Sequence, residues 1–341
     1  MRDPRLFASL TATLTVLSLG LAACGSDEGG SEGGESEALA TIPEEEAETW
    51  PLTGLEVGKG HSALDHPVLV AKMDNTEASA PQQGLGAADL VVEELVEGGV
   101  TRLAAFYYSA LPSGPIGPVR SMRASDIGIV APADGVMVTS GAAGVTINRI
   151  KDAGITYYAE GGPGFFREAG RSAPYNLFTD LDKVAEAASD GEEARPEDYL
   201  PWGSADDLPE GQPARTLTAD FGAHSTSWVF QGGQYVNQNS FAADGDEFQA
   251  DNVLVMRVEV GDAGYLDPAG NTVPETMFQK GAGEALLFHD GQLVRGTWSK
   301  DGPDAPIRLS TKAGELTVPA GRTWIELVPV DAANGSVTFG K

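Results

Sequence analysis

The chain has 341 residues, with 50 Asp and Glu residues against 22 Lys and Arg residues, and its formal net charge at pH 7 is -28. A chain of this length can bury the core of one large or two modest domains. The acidic excess leaves no basic block to displace counterions, which argues against a nucleic-acid partner and against direct docking onto anionic lipid headgroups.

The N-terminus has the order of a secretory signal: basic, then apolar, then small. Arg2 and Arg5 precede a run of apolar and small residues from Leu6 to Ala23, and a Leu-Ala-Ala-Cys lipobox ends at Cys24. We predict a lipoprotein signal peptide over residues 1–23 and lipidation of Cys24. The alternative is an ordinary signal peptide that happens to contain a cysteine. Because Cys24 is the only cysteine, an intrachain disulfide and a cysteine-rich zinc site are excluded.

Residues 24–49 predict an acidic spacer. Gly, Ser, Ala and Glu dominate this segment and Lys and Arg do not occur, so it cannot bury enough apolar surface to fold and we expect a disordered linker. No second apolar span of about 20 residues follows, and two acyl chains on Cys24 would anchor stably. We expect the protein at the outer face of the bacterial cytoplasmic membrane, anchored to it by lipid without spanning it.

The residues from 50 to 190 predict an N-terminal half of alternating strands and helices. Strands are predicted at 67–73, 90–97, 100–108, 135–139 and 155–158. Helices are predicted at 142–153 and 180–188, and a short one from Ser121, as its N-cap, to about Val130. Residues 161–176 predict a long loop rich in Gly, Arg and aromatic residues, of the kind that is often functional.

A Gly-Gly pair after Glu97 separates two of these strands and predicts a hairpin with a two-residue turn. In that register Leu95 would face Arg102. Arg102 would then lie diagonally between Glu93 and Glu97, within reach of an ion-pair cluster.

The pattern changes after an acidic, Pro- and Gly-rich linker or excursion at 191–215. From 216 to 341 the sequence predicts a β-rich C-terminal half with strands at 227–230, 252–260, 285–289, 292–298, 307–309, 315–318 and 323–329. Helices therefore lie mainly in the N-terminal half. An α+β fold, a layered sandwich of mixed β-sheet and helices, fits this distribution better than a doubly wound sheet.

Common enzyme signatures do not occur in the sequence. The histidines at 61, 66, 224 and 289 are unpaired at ligand spacing, and motifs for zinc proteases, calcium loops, serine hydrolases and phosphate-binding loops are missing. Asp244, Asp246 and Asp251 could hold a metal but are explained better as acidic turn residues. We therefore predict no metal and no cofactor.

Four arginines in two predicted loops stand out in so acidic a protein. Arg120 and Arg123 lie at the start of a predicted helix, where free backbone N–H groups favour anions, and Arg167 and Arg171 lie in the loop 161–176. Such arginines could grip a carboxylate, a phosphate or an acidic peptide by bidentate contacts. The favoured alternative is that they pair with Asp74, Glu93, Glu97 and Asp126 to fasten loops to the sheet. The candidate ligand-binding residues are Asp74, Asn75, Arg102, Arg120, Arg123, Arg167, Arg171 and Asn176.

Ordered motifs in both halves resemble the YerB-like family of bacterial lipoproteins, a domain of unknown function with N-terminal and C-terminal halves. They lie at 67–75, 81–89, 97–102, 117–123, 173–177, 252–253, 288–291, 296–298 and 321–329. The resemblance spans roughly Pro51 to Pro329. It implies a layered sandwich of sheets and helices that both halves build, and it supplies no established reaction.

The chain departs from the family pattern at two histidines. Tyr175 stands where the family pattern has the His of Ala-Pro-His-Asn, and Thr139 and Ser140 stand where the family tends to have a His and Gly-Gly-Ser. Loss of both histidines beside retained arginines favours binding over acid–base catalysis.

Three functions remain open on the sequence. The first is a non-enzymatic envelope lipoprotein that binds a partner protein or an anionic cell-wall component through the arginine loops. The second is an enzyme acting on peptidoglycan or another envelope polymer through Asp74, Glu93 and Glu97, although Arg102 between the two glutamates would lower the pKa of both and suit an ion-pair network better. The third is a structural role for the β-rich half, whose Trp298 and Trp324 could stack on carbohydrate but fit a core better.

Overall fold

The computed structural model describes residues 48–58, 66–267, 270–330 and 335–341. The predicted signal peptide, Cys24 and nearly all of the predicted spacer lie outside these residues. So does His61. In the described part, no helix is long and apolar enough to cross a membrane.

The N-terminal half contributes seven strands and the three α-helices that occur among the described residues. The strands are β1 (Leu69–Asn75), β2 (Leu90–Leu95), β3 (Thr101–Tyr107), β4 (Val136–Val138), β5 (Tyr157–Tyr158), β6 (Phe165–Arg167) and β7 (Leu177–Thr179). The helices are α1 (Asp126–Val130), α2 (Gly144–Asp152) and α3 (Leu181–Ala188), and short 3-10 turns lie at Glu77–Ser79, Leu85–Ala87, Glu97–Gly99 and Ala131–Ala133.

The rest of the chain is built from strands and one 3-10 turn at Ala205–Asp207. The strands up to the middle of this part are β8 (Trp202–Gly203), β9 (Gln212–Pro213), β10 (Thr216–Asp220), β11 (Ser225–Gln231), β12 (Gln234–Asn237), β13 (Gln249–Ala250), β14 (Asn252–Val258) and β15 (Val260–Leu266). The later strands are β16 (Thr272–Thr276), β17 (Gly281–His289), β18 (Gln292–Lys300), β19 (Arg308–Thr311), β20 (Gly314–Glu315), β21 (Val318–Pro319), β22 (Thr323–Pro329) and β23 (Ser336–Gly340).

A twelve-stranded mixed sheet joins the two halves of the sequence. Its order is β20-β19-β18-β17-β14-β22-β2-β3-β1-β4-β5, and β9 pairs with β18. β22 lies between β14 and β2 and pairs in parallel with both. All seven residues of β1 and all seven of β22 are buried, as expected for central strands covered on both faces. The fold is therefore sheet-rich α+β, and strands from both halves share its main sheet.

Two hydrophobic clusters cover the two faces of this sheet. The first face carries Val70, Val92 and Phe106. The opposite face carries Val91 and Leu103, and these pack in one cluster with side chains of a second, five-stranded sheet in the order β13-β12-β11-β10-β23. Because side chains alternate along each strand, neighbouring residues of β1, β2 and β3 point to different faces. This alternation decides which charged residues meet.

The register predicted for the hairpin of β2 and β3 is wrong by one residue. Glu94 lies opposite Arg102, and Leu95 lies opposite Thr101. The connection is a 3-10 turn over Glu97–Gly99, closed by a 2.8 Å hydrogen bond from the Val96 N–H to the Val100 carbonyl. This loop is longer than a two-residue turn, and a slip of one residue exchanges the faces. Arg102 therefore lies on the face opposite to Glu93.

Two further local predictions are corrected. The helix predicted from Ser121 begins at Asp126, with Ser125 as its N-cap, because the backbone before it bonds to neighbouring strands. Arg120 donates its N–H to the Lys72 carbonyl at 2.8 Å. The predicted loop 161–176 contains β6, which pairs antiparallel with β7.

The segment 191–215 packs on the folded unit. Tyr199 is fully buried; its hydroxyl donates to the Ile129 carbonyl at 2.9 Å, and its ring contacts Phe106 edge-on at 5.2 Å. Trp202 donates its indole N–H to the Pro51 carbonyl at 2.9 Å. These contacts give the segment the character of an excursion over the surface rather than of a free linker.

Candidate anion-binding cleft

A cleft of about 720 Å³ opens beside the carboxyl end of β1 and the amino end of β3. Its lining brings together four of the eight residues predicted from the sequence to bind a ligand, namely Asp74, Arg102, Arg120 and Arg123. They come from three segments of the N-terminal half, and a hairpin of the C-terminal half completes the wall.

Arg102 is the most buried of the three guanidinium groups, with 8 % of the residue exposed. It lies opposite Asp74 in the register of β1 and β3, and one of its terminal nitrogens donates to the Ser121 carbonyl at 2.6 Å. Arg102 forms no ion pair with any carboxylate that the structure describes. Burial first, and then the positive charges of Arg123 and Arg120, lower the pKa of Arg102 to about 10. The guanidinium of Arg102 therefore lies in the cleft wall without a carboxylate partner among the described residues.

Arg120 is neutralised within the cleft. Its Nε lies 2.8 Å from Oδ2 of Asp74, whose side chain is 4 % exposed. The guanidinium also lies over the ring of Tyr175, 5.2 Å from its centroid, and contacts the Pro174 carbonyl at 3.4 Å. Tyr175, from the predicted loop 161–176, thus helps to hold the Arg120 side chain in place.

Arg123 is the most fully paired of the three. Its Nε and Nη2 donate to the two carboxylate oxygens of Glu97 at 2.8 and 2.6 Å, and its Nη1 donates to the carbonyls of Met122 and Ser121 at 2.9 and 3.3 Å. Burial alone would raise the pKa of Glu97, but the hydrogen bonds and charge of Arg123 lower it. This pair fastens the 3-10 turn after β2 to the segment before α1.

The opposite wall is partly apolar. Ala142 and Ala143, at the start of α2, line it together with Tyr265 and Leu266 of β15. The Tyr265 hydroxyl hydrogen-bonds to that of Thr146 at 2.9 Å and so joins the hairpin of β15 and β16 to the helix. A second contact between α2 and this hairpin forms further along the helix, where Nη1 of Arg149 donates to Glu275 of β16 at 2.8 Å.

The three residues of the loop 161–176 that were predicted to bind a ligand do not line this cleft. Arg167 is exposed and paired with Glu160 and with Oδ1 of Asn176, the latter at 2.6 Å. Arg171 pairs with Glu168 and donates to the Ser79 carbonyl at 2.9 Å. Arg167, Arg171 and Asn176 therefore hold loop segments together, and the two arginines do so through Glu160 and Glu168 rather than through the carboxylates that the alternative named.

Asn75 belongs to a buried polar cluster on the other face of the sheet. Its amide donates to Glu93 at 3.1 Å and to Thr101 at 2.9 Å. His224 reaches the same carboxylate, with its Nε2 3.3 Å from Oε1 of Glu93. Burial opposes ionisation of Glu93, yet the hydrogen bond and charge of His224 lower its pKa, and they raise the pKa of His224 against the effect of burial.

Glu326 is the member of this cluster that the sequence did not reveal. It lies directly opposite Glu93 on the parallel strand β22, and both side chains are fully buried. Burial, followed by the charge of Glu93, raises the pKa of Glu326 well above its ordinary value, and the indole of Trp228 donates to Glu326 at 2.9 Å. Two adjacent carboxylates cannot both ionise there, so Glu326 carries the proton. A polar residue within the apolar run of β22 was the available signal.

A second buried ionic group lies on the cleft side of the sheet. Nζ of Lys72 is 2.7 Å from Oδ1 of Asp126 and also pairs with Glu94, and all three side chains are fully buried. Oδ2 of Asp126 accepts the N–H of Arg123 at 2.6 Å. Asp126 and Glu94 share this one lysine, and burial together with the charge of Asp126 raises the pKa of Glu94 against the effect of Lys72. Neither carboxylate forms an ion pair with Arg102.

The other candidate residues have structural partners. Asp246 accepts the backbone N–H groups of Gly84 and Gly86, and Asp251 accepts that of Arg322. No group of His, Cys, Asp and Glu in the described ranges has the arrangement of a metal site. Trp298 and Trp324 are each only 2 % exposed and lie in the core.

Comparison with known proteins matches this fold and sequence to one family. The profile described as "Protein of unknown function (DUF3048) N-terminal domain" matches residues 52–194, and that of the C-terminal domain matches residues 216–325. The chain belongs to this family. The YerB-like resemblance of the sequence motifs is thereby confirmed.

This YerB-like chain is similar to YerB of Bacillus subtilis both in sequence and in structure. The proposed lipoprotein YerB of strain 168 is 27 % identical over 301 residues, which are 83 % of this chain and 87 % of YerB. The crystal structure of Bacillus subtilis YerB matches with a TM-score of 0.69 at 21 % identity, over 85 % of this chain and 99 % of that chain. The structural match extends the same fold across both halves.

Proposed function

We propose that this YerB-like protein is an exported lipoprotein, anchored through Cys24 at the outer face of the cytoplasmic membrane, that binds an anionic group of an envelope component in the arginine cleft. The observation that carries the proposal is Arg102. It is a buried guanidinium at the wall of an open cleft, and its only hydrogen bond among those described goes to a neutral carbonyl.

Charge balance supports an anion from outside the chain. Asp74 pairs with Arg120 and Glu97 pairs with Arg123, so neither of these carboxylates forms an ion pair with Arg102. A buried charge without a partner is costly, and an arriving carboxylate or phosphate would supply one through the remaining N–H donors of the guanidinium.

The carboxylates of the enzymatic alternative favour binding over catalysis. Asp74 and Glu97 are paired with arginines, and Glu93 is fully buried on the far face of the sheet. A general acid or base must reach the proton that it transfers. The three groups therefore stabilise the fold and the arginines rather than forming a catalytic pair.

Calorimetric titration of the full chain in detergent with acetate and with inorganic phosphate tests the site. Arg102→Gln keeps a polar side chain with an N–H donor but removes the charge, and it should weaken anion binding at least about tenfold, or 1.4 kcal/mol. Arg167→Gln removes an exposed, distant arginine and serves as the matched control. Equal binding by the wild type and Arg102→Gln would refute the cleft as the anion site.

Membrane fractionation tests the anchor separately. The Cys24→Ser chain cannot accept a lipid through the thiol, so it should leave the membrane fraction or remain as an unprocessed precursor. A processed Cys24→Ser chain that stays with the membrane would refute the assignment.

A further inference from the structure

The cleft is much larger than a bare anion. Its volume of about 720 Å³ lies in the range of about 300–1,000 Å³ that is usual for small organic ligands. Acetate or phosphate beside Arg102 would leave most of this space to water. The shape of the cleft therefore fits an anion that is attached to a larger group.

The surface around the remaining space is suited to an apolar substituent. Leu266 is 62 % exposed on the cleft wall, the largest exposure of any large hydrophobic residue among those described. Tyr175 and Tyr265, which are partly buried, and Val96 and Val100 line the same cleft. An apolar group bound between these side chains would remove Leu266 from water.

The charges of the lining select a single negative charge. After Asp74 and Glu97 are paired, one guanidinium remains, and Asp267 adds a negative charge at the hairpin end of the cleft. A dianion would exceed the available positive charge and would meet the repulsion of a chain with a net charge of -28. A carboxylate has one charge and the planar shape that a guanidinium fork fits.

The rest of the lining is polar in the way that a peptide requires. Thr76 and Ser121 contribute hydroxyl groups to the lining, and Asp267 contributes a carboxylate that already accepts the backbone and side-chain N–H groups of Asn271. Hydroxyls can donate to or accept from amide groups, and a carboxylate accepts N–H donors. The hydroxyls of the lining can therefore hydrogen-bond to the amide groups that precede a C-terminal carboxylate.

We infer that the arginine cleft binds the free C-terminal carboxylate of a short peptide whose last side chain is apolar, with the carboxylate at Arg102 and the side chain against Leu266. This inference rests on the proposed function, because it names the ligand class of the same cleft.

The test compares defined probes by calorimetry on the full chain in detergent. The probes are the tripeptide Gly-Ala-Leu, its C-terminal amide, acetate, and dihexanoylphosphatidate as a soluble lipid headgroup. The free tripeptide should bind at least about tenfold more tightly than acetate, and its amide should show no binding.

Variants separate the two parts of the cleft. Leu266→Ser changes an exposed side chain and should weaken tripeptide binding about three- to tenfold while acetate binding stays the same. Arg102→Gln should weaken both, and Arg167→Gln should weaken neither.

Each contrary result has a distinct meaning. Equal affinities for tripeptide and acetate, both lost in Arg102→Gln, would overturn the peptide inference and leave the anion site standing. Tighter binding of dihexanoylphosphatidate than of the tripeptide would also overturn it, in favour of a lipid headgroup. Failure of all probes to bind in an Arg102-dependent way would refute the proposed function as well.

Discussion

Replacing Arg102 by methionine should make the protein more stable. The fall in the pKa of Arg102 from 12.5 to about 10 means that its charged form is held at a cost in the folded protein. At about 1.4 kcal/mol per pKa unit, this cost is on the order of 3 kcal/mol. Methionine replaces the flexible apolar stem of arginine without its charge, so Arg102→Met relieves the cost.

The same substitution removes one hydrogen bond. The Ser121 carbonyl that accepts from Arg102 also accepts from Nη1 of Arg123 at 3.3 Å, so it keeps a donor. The loss of a charged hydrogen bond is worth about 1.5–3 kcal/mol. The expected balance for Arg102→Met is a gain of up to about 1.5 kcal/mol in the free energy of unfolding, together with loss of anion binding.

Urea unfolding followed by tryptophan fluorescence measures this balance. Arg123→Met is the matched control in the same cleft, because it leaves the carboxylate of Glu97 without its partner and should cost about 2–4 kcal/mol. If Arg102→Met also destabilises the protein by more than about 1 kcal/mol, Arg102 is needed by the fold and the reasoning from its uncompensated charge is refuted.

The buried cluster on the other face gives two further predictions. Glu326→Gln should change the free energy of unfolding by less than about 1 kcal/mol, because Glu326 is already neutral and a glutamine oxygen still accepts from Trp228. Glu93→Gln should cost about 3 kcal/mol, because it leaves His224 without its carboxylate. Equal losses in urea unfolding would contradict the assigned protonation. Since the pKa of His224 is raised above its ordinary 6.5, its contribution to stability is complete below pH 6.5 and declines as the pH rises through the folded value. His224→Gln should therefore flatten the pH dependence of the melting temperature above pH 6.5, and an unchanged slope would count against the ion pair.

Strands with long apolar runs were predictable from the sequence, and some strands with an exposed polar face were not. The strand predicted at 323–329 coincides with β22, and the helices predicted at 142–153 and 180–188 are confirmed as α2 and α3 within about two residues. β10 and β23 were missed because one of their faces is exposed and rich in Thr, Ser and Asp. The hairpin of β15 and β16 was missed for the same reason, and with it the apolar wall of the cleft.

The sequence predicted the residue types of the candidate site, but it did not predict which of the residues come together in the cleft. The contrast between loop arginines and an acidic chain indicated Arg120 and Arg123, and the hairpin indicated Arg102. Which arginine lacks a carboxylate depends on partners that are distant in sequence, since Glu97 and Arg123 are 26 residues apart. Composition and spacing carry no information about such pairs, so the sequence could not distinguish Arg167 and Arg171 from the arginines that line the cleft.

The slip of one residue between β2 and β3 explains why Arg102 is free to bind. In the predicted register, Arg102 would have been neutralised between Glu93 and Glu97. In the structure its cross-strand neighbours are Glu94, which pairs with Lys72, and Asp74, which pairs with Arg120. Lys72 is shared by Glu94 and Asp126, Asp74 pairs with Arg120, and no carboxylate among the described residues pairs with Arg102 at the wall of the open cleft. A fold selected only for stability would have no use for such a group, and an anion from outside the chain is the partner that this arrangement lacks.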